Sequence, residues 1–288
     1  VRAAADSLLQ VFRASSVVYV TVSPQRVQEL QNLSADQNTL FLSPPRQVGS
    51  QVTPQVVSSL GQASALTGFS VQAPTTFVTP PNTSTYSVLP QTAYQFQVNV
   101  QTLRQILSTF NVTDVTIPDA LGAQPISIVL PPAAQLKYQG SDYALTLTEG
   151  IIPTASLPPG VDLNQLGKAA LEVLGMPADQ ADALSKQIDW RSTLIFPFPA
   201  GVFNIQKVSI NGVTGVMLTG GARDGSTGIF QTQHASANVD GSATVTPGSF
   251  DGSETVLYWQ KGDRFYVLEG QGGTIDTTTL LGAANSVK

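Results

Sequence analysis

The stretch from Thr255 to Gly270 constrains the fold most strongly. Val256, Tyr258 and Gln260 alternate with Thr255, Leu257 and Trp259. After Lys261-Gly262-Asp263, Phe265, Val267 and Glu269 alternate with Tyr266 and Leu268. Side chains of a strand point to opposite faces with period two, so this pattern around a glycine turn predicts a β-hairpin. Asp276 then suits a helix N-cap, with Ile275 and Leu280 spaced as a hydrophobic staple. Leu280, Ala284 and Val287 share one face of the closing helix. A hairpin followed by a helix requires a sheet and something to cover it.

The rest of the chain repeats this mixture. Val1 to Phe12 has Val1, Ala5, Leu8 and Phe12 on one face and predicts an amphipathic helix. Ser16 to Val22 is β-branched and predicts a strand. Ser23-Pro24 opens a helix to Leu33. Thr39 to Leu42 predicts a strand ended by Pro44-Pro45, and Thr53-Pro54 a helix to Leu66 stopped by Gly68. Phe69 to Gln72 predicts a short strand. Thr85–Leu89 and Ala93–Val98 predict an antiparallel pair split by Pro90. Asn99 caps a helix with Val100, Leu103, Leu107 and Phe110 on one face. Ile126–Leu130 and Tyr143–Thr148 predict strands. Leu163–Leu174 and Ala178–Ile188 predict two helices joined by a short turn. Arg191–Phe196, Phe203–Ile210 and Val213–Thr219 predict strands, the last two joined by the hairpin turn Asn211-Gly212. Gly220 to Ser253 is a polar insertion, in which Thr227 to Gln233 could be a strand. Short turns between strands give an α+β fold: an antiparallel sheet, curved or split, with helices packed on one face. The expectation is one α+β region over 1–288, with a division into 1–155 and 156–288 left open by the break at Pro153 to Pro159.

Composition bounds function. Apolar residues are 42% of the 288, enough for a core, while charged residues are only 11%. Net charge is −5, and the 14 Lys and Arg are scattered, so no basic stripe exists to neutralise phosphates and nucleic-acid binding is not expected. The absence of cysteine excludes disulfides, thiolate metal sites and cysteine nucleophiles. No run of 18 apolar residues is present to form a membrane span. Val1 opens the chain without Met, and the expectation is a processed product or a piece from which a signal or membrane helix has been removed.

No constellation points to chemistry. His234, the single histidine, lies in a polar stretch without a nucleophile elbow, and reads as a surface residue. Glu172, Asp179, Asp182, Asp189, Asp240, Asp251, Glu254 and Glu269 are the acids available for glycoside hydrolysis, but none pairs with an aromatic sugar platform. Asp179 and Asp182 have the spacing of a solvated helix face. Asp224-Gly-Ser, Asp240-Gly-Ser and Asp251-Gly-Ser lack the alternation of a calcium loop and read as turns. Gly220-Gly221 and Gly270-Gln-Gly-Gly273 lack the lysine or spacing of a phosphate cradle. Trp190, Phe196, Phe198, Tyr258, Trp259, Phe265 and Tyr266 could line a lipid or peptide groove, but core packing is the commoner role. Asn32, Asn82 and Asn111 match the glycosylation sequon, which matters only in a eukaryotic secretory setting. No catalytic, cofactor-binding or metal-binding residue is assigned, and a non-enzymatic role is expected.

The two ends of the chain carry a resemblance. Ala4-Ala-Asp-Ser-Leu-Leu-Gln-Val-Phe-Arg13, the run Val17 to Val22, and Ala65-Leu-Thr-Gly-Phe69 with Phe69-Ser-Val-Gln-Ala-Pro74 resemble the extracytoplasmic region of bacterial membrane-bound anti-sigma factors and related envelope regulators. Val208 to Leu218, Leu257 to Gly270 and the helix to Ser286 resemble the last strands and helix of that region. The insertion Gly220 to Glu254 departs from it. The resemblance implies a sensor domain outside the membrane that responds to a protein, peptide or lipid. It also implies a preceding membrane helix and a cytoplasmic sigma-factor-binding region. A lipid- or lipoprotein-binding carrier with a curved sheet is the competing expectation, and it requires an apolar cavity.

Overall fold

A computed structural model describes residues 11–14, 17–34, 41–49, 53–190, 194–199, 204–220, 232–237, 243–248 and 255–288. In chain order the first elements are β1 (Val11–Ala14), β2 (Val17–Val22), α1 (Pro24–Ser34), β3 (Phe41–Val48), β4 (Gln55–Val57) and α2 (Leu60–Thr67). The middle holds β5 (Thr83–Leu89), β6 (Thr92–Val98), α3 (Val100–Thr109), α4 (Ala120–Ala123), β7 (Ile126–Leu130), β8 (Ala133–Gln139), β9 (Tyr143–Ile151) and β10 (Thr154–Ser156). Then come α5 (Leu163–Val173), α6 (Ala178–Ser185), β11 (Leu194–Pro199), β12 (Asn204–Ile210) and β13 (Val213–Thr219). The chain ends with β14 (Thr232–Ala237), β15 (Ala243–Gly248), β16 (Thr255–Lys261), β17 (Arg264–Gly272) and α7 (Thr277–Asn285). The fold is α+β, as its patterning requires.

An antiparallel sheet of eight strands, in the order β12-β13-β16-β17-β9-β8-β5-β4, forms the main layer. One face carries Leu136, Leu147, Leu257, Leu268 and Tyr266, all essentially without solvent exposure. Helices α2 and α7 cover that face through Ala63, Leu280, Ala283 and Ala284. Asp276 caps α7 with a reciprocal capping box to Thr279, and Ile275 and Leu280 pack into the core on either side of it. A second sheet has the order β10-β7-β6-β3. Val98, Ile126, Val100, Leu107, Leu121 and Ala169 form the core that joins it to α3, α4 and α5. A small sheet, β1-β2-β11, packs Val18 and Val20 against Leu171, Met176, Ala181 and Ile188 of the α5–α6 region. Its β11 runs parallel to β2, the one departure from antiparallel pairing in these ladders.

The two larger sheets are two wings of one bent sheet. β5 continues into β6, β8 into β7 and β9 into β10, each pair split by proline: Pro90, Pro131-Pro132 and Pro153. Register is the same on both sides of the joint. Leu89 faces Ala133 before it and Thr92 faces Leu130 after it. Likewise Ala133 faces Gly150, and Val129 faces Thr154. Proline has no N–H to give to a ladder, so a row of prolines interrupts hydrogen bonding where the sheet turns. The expected pairing of Thr85–Leu89 with Ala93–Val98 is therefore corrected. Both segments pair with the 126–139 strand, whose second half, β8, the apolar pattern left unassigned.

Other boundaries move for similar reasons. Only Val11 and Phe12 of the expected first helix fall among the described residues, and they belong to β1, drawn into pairing with β2. The expected helix from Thr53 begins later. Gln55–Val57 pairs with β5, and Ser59 caps α2 by accepting the Gln62 N–H at 3.2 Å. Strand β3 does not stop at Pro44-Pro45 but runs past them with register shifts, which an edge strand tolerates. Phe69–Gln72 is not a strand; residues 69–82 form an irregular strap. In the insertion, β14 and β15 pair as a hairpin, starting later than expected, and Thr227 to Gln231 lie outside the described residues.

The terminal hairpin has the expected register, with Gly262-Asp263 between paired Lys261 and Arg264. Trp259 is 3% exposed and stacks on Tyr266 with ring centroids 4.9 Å apart. Removing a buried aromatic loses its burial and leaves a cavity. Trp259→Ala is expected to cost about 3–5 kcal/mol in denaturant unfolding, and a near-wild-type midpoint would place Trp259 outside the core.

Candidate functional site

The most unusual polar group on the covered face is Glu149 of β9. It continues the apolar phase of Tyr143, Leu145 and Leu147, and it has 0% exposure. A bare carboxylate there would be costly, so its partners matter. Tyr266 faces it directly across the β9–β17 ladder, and Arg264 stands one pleat further along the same face. Arg264 Nη1 donates to Glu149 Oε1 at 2.8 Å, and the Gln72 N–H donates to Oε2 at 2.7 Å. Tyr266 OH donates to Gln72 Oε1 at 3.1 Å. Arg264 also donates to the Ser70 carbonyl at 2.8 Å, and its guanidinium lies 5.4 Å from the Phe69 ring centroid.

These bonds tie the strap to the sheet. Helix α2 stops because Gly68 takes a left-handed conformation at φ 78°, sending its N–H back to Ser64 O. Ser64 Oγ then accepts the Val71 N–H at 2.9 Å. Irregular backbone must find partners outside a ladder, and the chain end supplies them. Ala73 and Lys288 exchange both backbone hydrogen bonds. Ser286 Oγ accepts the N–H groups of Thr75 and Thr76 at 2.9 and 3.0 Å. Tyr143 OH donates to Thr79 O at 2.7 Å. The segment Phe69–Pro74 and the C-terminal residues thus meet over β17.

Burial pushes the Glu149 carboxyl above its ordinary range, while the Gln72 N–H and the Arg264 charge pull it back. Burial also pushes the Tyr266 hydroxyl up to about 12, with the Glu149 charge adding to it. Both carboxylate oxygens are engaged and neither meets solvent. The arrangement can fasten the strap, and a ligand could reach it only if the strap moved.

A second cluster holds the 111–119 loop to α5. Lys168 Nζ lies 2.5 Å from Asp114 Oδ2 and 3.7 Å from Glu172 Oε1. The Lys168 ammonium keeps the Asp114 carboxyl below its usual range, and burial raises that of Glu172. Glu172 Oε1 is buried without a hydrogen-bond partner in the usual distance range.

The other sequence candidates do not converge. Asp179 lies in the first turn of α6, and Asp182 pairs with Lys186 at 2.7 Å on the same helix. Asp189 follows α6, while Glu269 stands on β17 opposite Val256. Asp240, Asp251 and Glu254 lie outside the described residues, as does Asp224-Gly-Ser; His234 is on β14, whose side chains are not described. Among the described residues no three His, Cys, Asp or Glu side chains gather as metal ligands. Gly270 packs under Ile275 and Leu280, where a Cβ would come within 2.6 and 2.8 Å, so it answers to packing. Tyr258, Trp259 and Tyr266 are buried, and Trp190 donates its Nε1–H to Ser185 O at 2.7 Å; the side chains of Phe196 and Phe198 are not described. Glu149 and Arg264 escape motif reasoning, yet one signal was available: charged residues in phase with the buried positions of their strands.

Comparison with models of protein families, with curated proteins and with solved structures gives no match for this chain.

Glu149, with its raised carboxyl, contributes stability that is fully present below the ordinary glutamate value of 4.5 and is lost as pH rises through its folded value. Arg264 limits that loss. Arg264→Ala strands a buried carboxylate and is expected to cost about 3–5 kcal/mol at pH 7. At pH 4, where Glu149 is protonated, the cost should be distinctly smaller. Urea unfolding at the two pH values checks this; equal losses would mean that Arg264 acts by packing alone.

Proposed function

We propose that this chain is a non-enzymatic sensor or regulatory domain of an anti-sigma-factor-like transmembrane regulator, lying outside the cytoplasmic membrane. The observation that carries the reading is where the resembling patches fall. Val208–Leu218 spans the end of β12 and most of β13, and Leu257–Gly270 spans most of β16 and β17, strands that are neighbours in one sheet. Phe69–Pro74 is the strap that Glu149 and Arg264 fasten to that sheet, and it pairs with the last residues after α7. These patches, far apart in sequence, form one contiguous unit, while the patch Val17–Val22 forms β2 of the small sheet and Ala4–Gln10 lie outside the described residues. Of the insertion that departs from the likeness, the described strands β14 and β15 pair with each other.

The packing favours this reading over a lipid carrier. Leu136, Leu147, Leu257, Leu268 and Leu280 have no accessible surface, so they face one another and not a lumen. Among the described residues no helix is long and apolar enough to cross a membrane. In this reading, a membrane helix and a sigma-factor-binding region belong to a longer chain. The longer chain is expected to bind a sigma factor in a pull-down and to lose that binding when the region preceding Val1 is removed. Equal binding by residues 1–288 alone, or none by the longer chain, would sink the proposal.

A further inference from the structure

We propose that Lys168 and Asp114 condense into an intramolecular amide bond, with Glu172 as the proton carrier. The two residues are 54 apart in the chain, Lys168 on α5 and Asp114 in the loop that follows α3. Lys168 Nζ lies 2.5 Å from Asp114 Oδ2, so the carboxyl carbon stands one bond behind an atom already in contact with the amine. Groups held this way need no encounter step before they react. Glu172, one helical turn beyond Lys168, brings Oε1 within 3.7 Å of the same nitrogen. That oxygen is buried without a hydrogen-bond partner, so it is available to a proton. Lys168 and Glu172 keep only 10% and 8% of their side chains in solvent, and Val112 and Ile117 on either side of Asp114 are buried. Lys186 approaches Asp182 almost as closely, at 2.7 Å, but 66% of its side chain is exposed and its ammonium stays hydrated.

The pair rests as ammonium and carboxylate, because their hydrogen bond holds Lys168 up and Asp114 down, while desolvation works against both charges. Reaction starts when one Nζ proton crosses that bond to Oδ2, leaving a neutral amine beside a neutral acid. The Nζ lone pair then attacks Cγ, and the C=O π pair moves onto the carbonyl oxygen. Glu172 Oε1 takes one proton from the positive nitrogen and passes it to the Oδ2 hydroxyl. The hydroxyl leaves as water with the C–O bonding pair while the carbonyl re-forms. The sum is ammonium plus carboxylate giving amide plus water, with no oxidant or outside reactant. Burial and the Asp114 charge raise the Glu172 carboxyl, which suits it to hold a proton in transit. Asp114 keeps 46% of its side chain in solvent, an exit for the water.

The bond fastens the 111–119 loop to α5 whatever the domain senses, so it does not depend on the regulatory reading. The test is the mass of the purified chain under denaturing conditions, followed by tryptic mapping. The wild type is expected to be lighter than its sequence by one water. Trypsin should leave Lys168 uncut and yield residues 105–137 joined to residues 138–186. Asp114→Ala and Lys168→Arg should both show the full sequence mass. So should Glu172→Gln, since loss of the proton carrier slows such a step about a hundredfold or more. A full wild-type mass overturns the proposal, and that measurement needs no variant to fold. A deficit of one water with Lys168 cut as usual marks an aspartyl succinimide instead and overturns it too. A linked form undiminished in Glu172→Gln overturns the assignment of Glu172 and with it the proposed reaction.

Discussion

The ladder between β9 and β17 is the interaction on which the rest depends. It runs from Arg264 opposite Ile151 to Gly272 opposite Tyr143 and is the seam between strands from the two halves of the chain. On one side lie β8, β5 and β4; on the other lie β16, β13 and β12. Both helices on the covered face also answer to it. Leu280 of α7 packs over Gly270 of β17, and the strap leaving α2 is held by Glu149 of β9 and Arg264 of β17. Such non-local pairing incurs a large loop-closure entropy before contacts form. A buried ion pair is weak evidence of net stability, but breaking one is costly. The pair at the seam therefore acts chiefly against alternatives: a one-residue slip of β17 would carry Arg264 to the opposite face and leave Glu149 unpaired.

Local signals in the sequence locate elements better than they locate partners. Asn211-Gly212 fixes its hairpin because both residues adopt positive φ, 48° and 83°, which few other pairs tolerate. Asn99 and Asp276 mark helix starts because their side chains accept backbone N–H groups. Thr53-Pro54 offers an equally good local signal, yet Gln55–Val57 becomes a strand because β5 presents an unpaired edge there. Pairing with a distant strand outweighs a cap worth about 1 kcal/mol. The strap is illegible for a related reason: beyond Val71, held by nearby Ser64, much of its backbone is satisfied by Glu149, Ser286 and Lys288, none of them local. The candidate site was legible only as a phase violation, an acid among leucines, with nothing in the sequence to name its partner.

The prolines explain the shape. Taken singly, Pro90, Pro131-Pro132 and Pro153 read as strand ends. Aligned by the ladders, they form one row across three neighbouring strands, with the register kept on either side. Each wing buries its own face: α2, α7 and the strap on the first, α3, α4 and α5 on the second. Gly150 lies at the same row, where a Cβ would come within 2.7 Å of Phe265 and 3.0 Å of Ala133. The turn in the sheet is thus encoded twice, by residues that cannot donate and by one that has no side chain to crowd the corner.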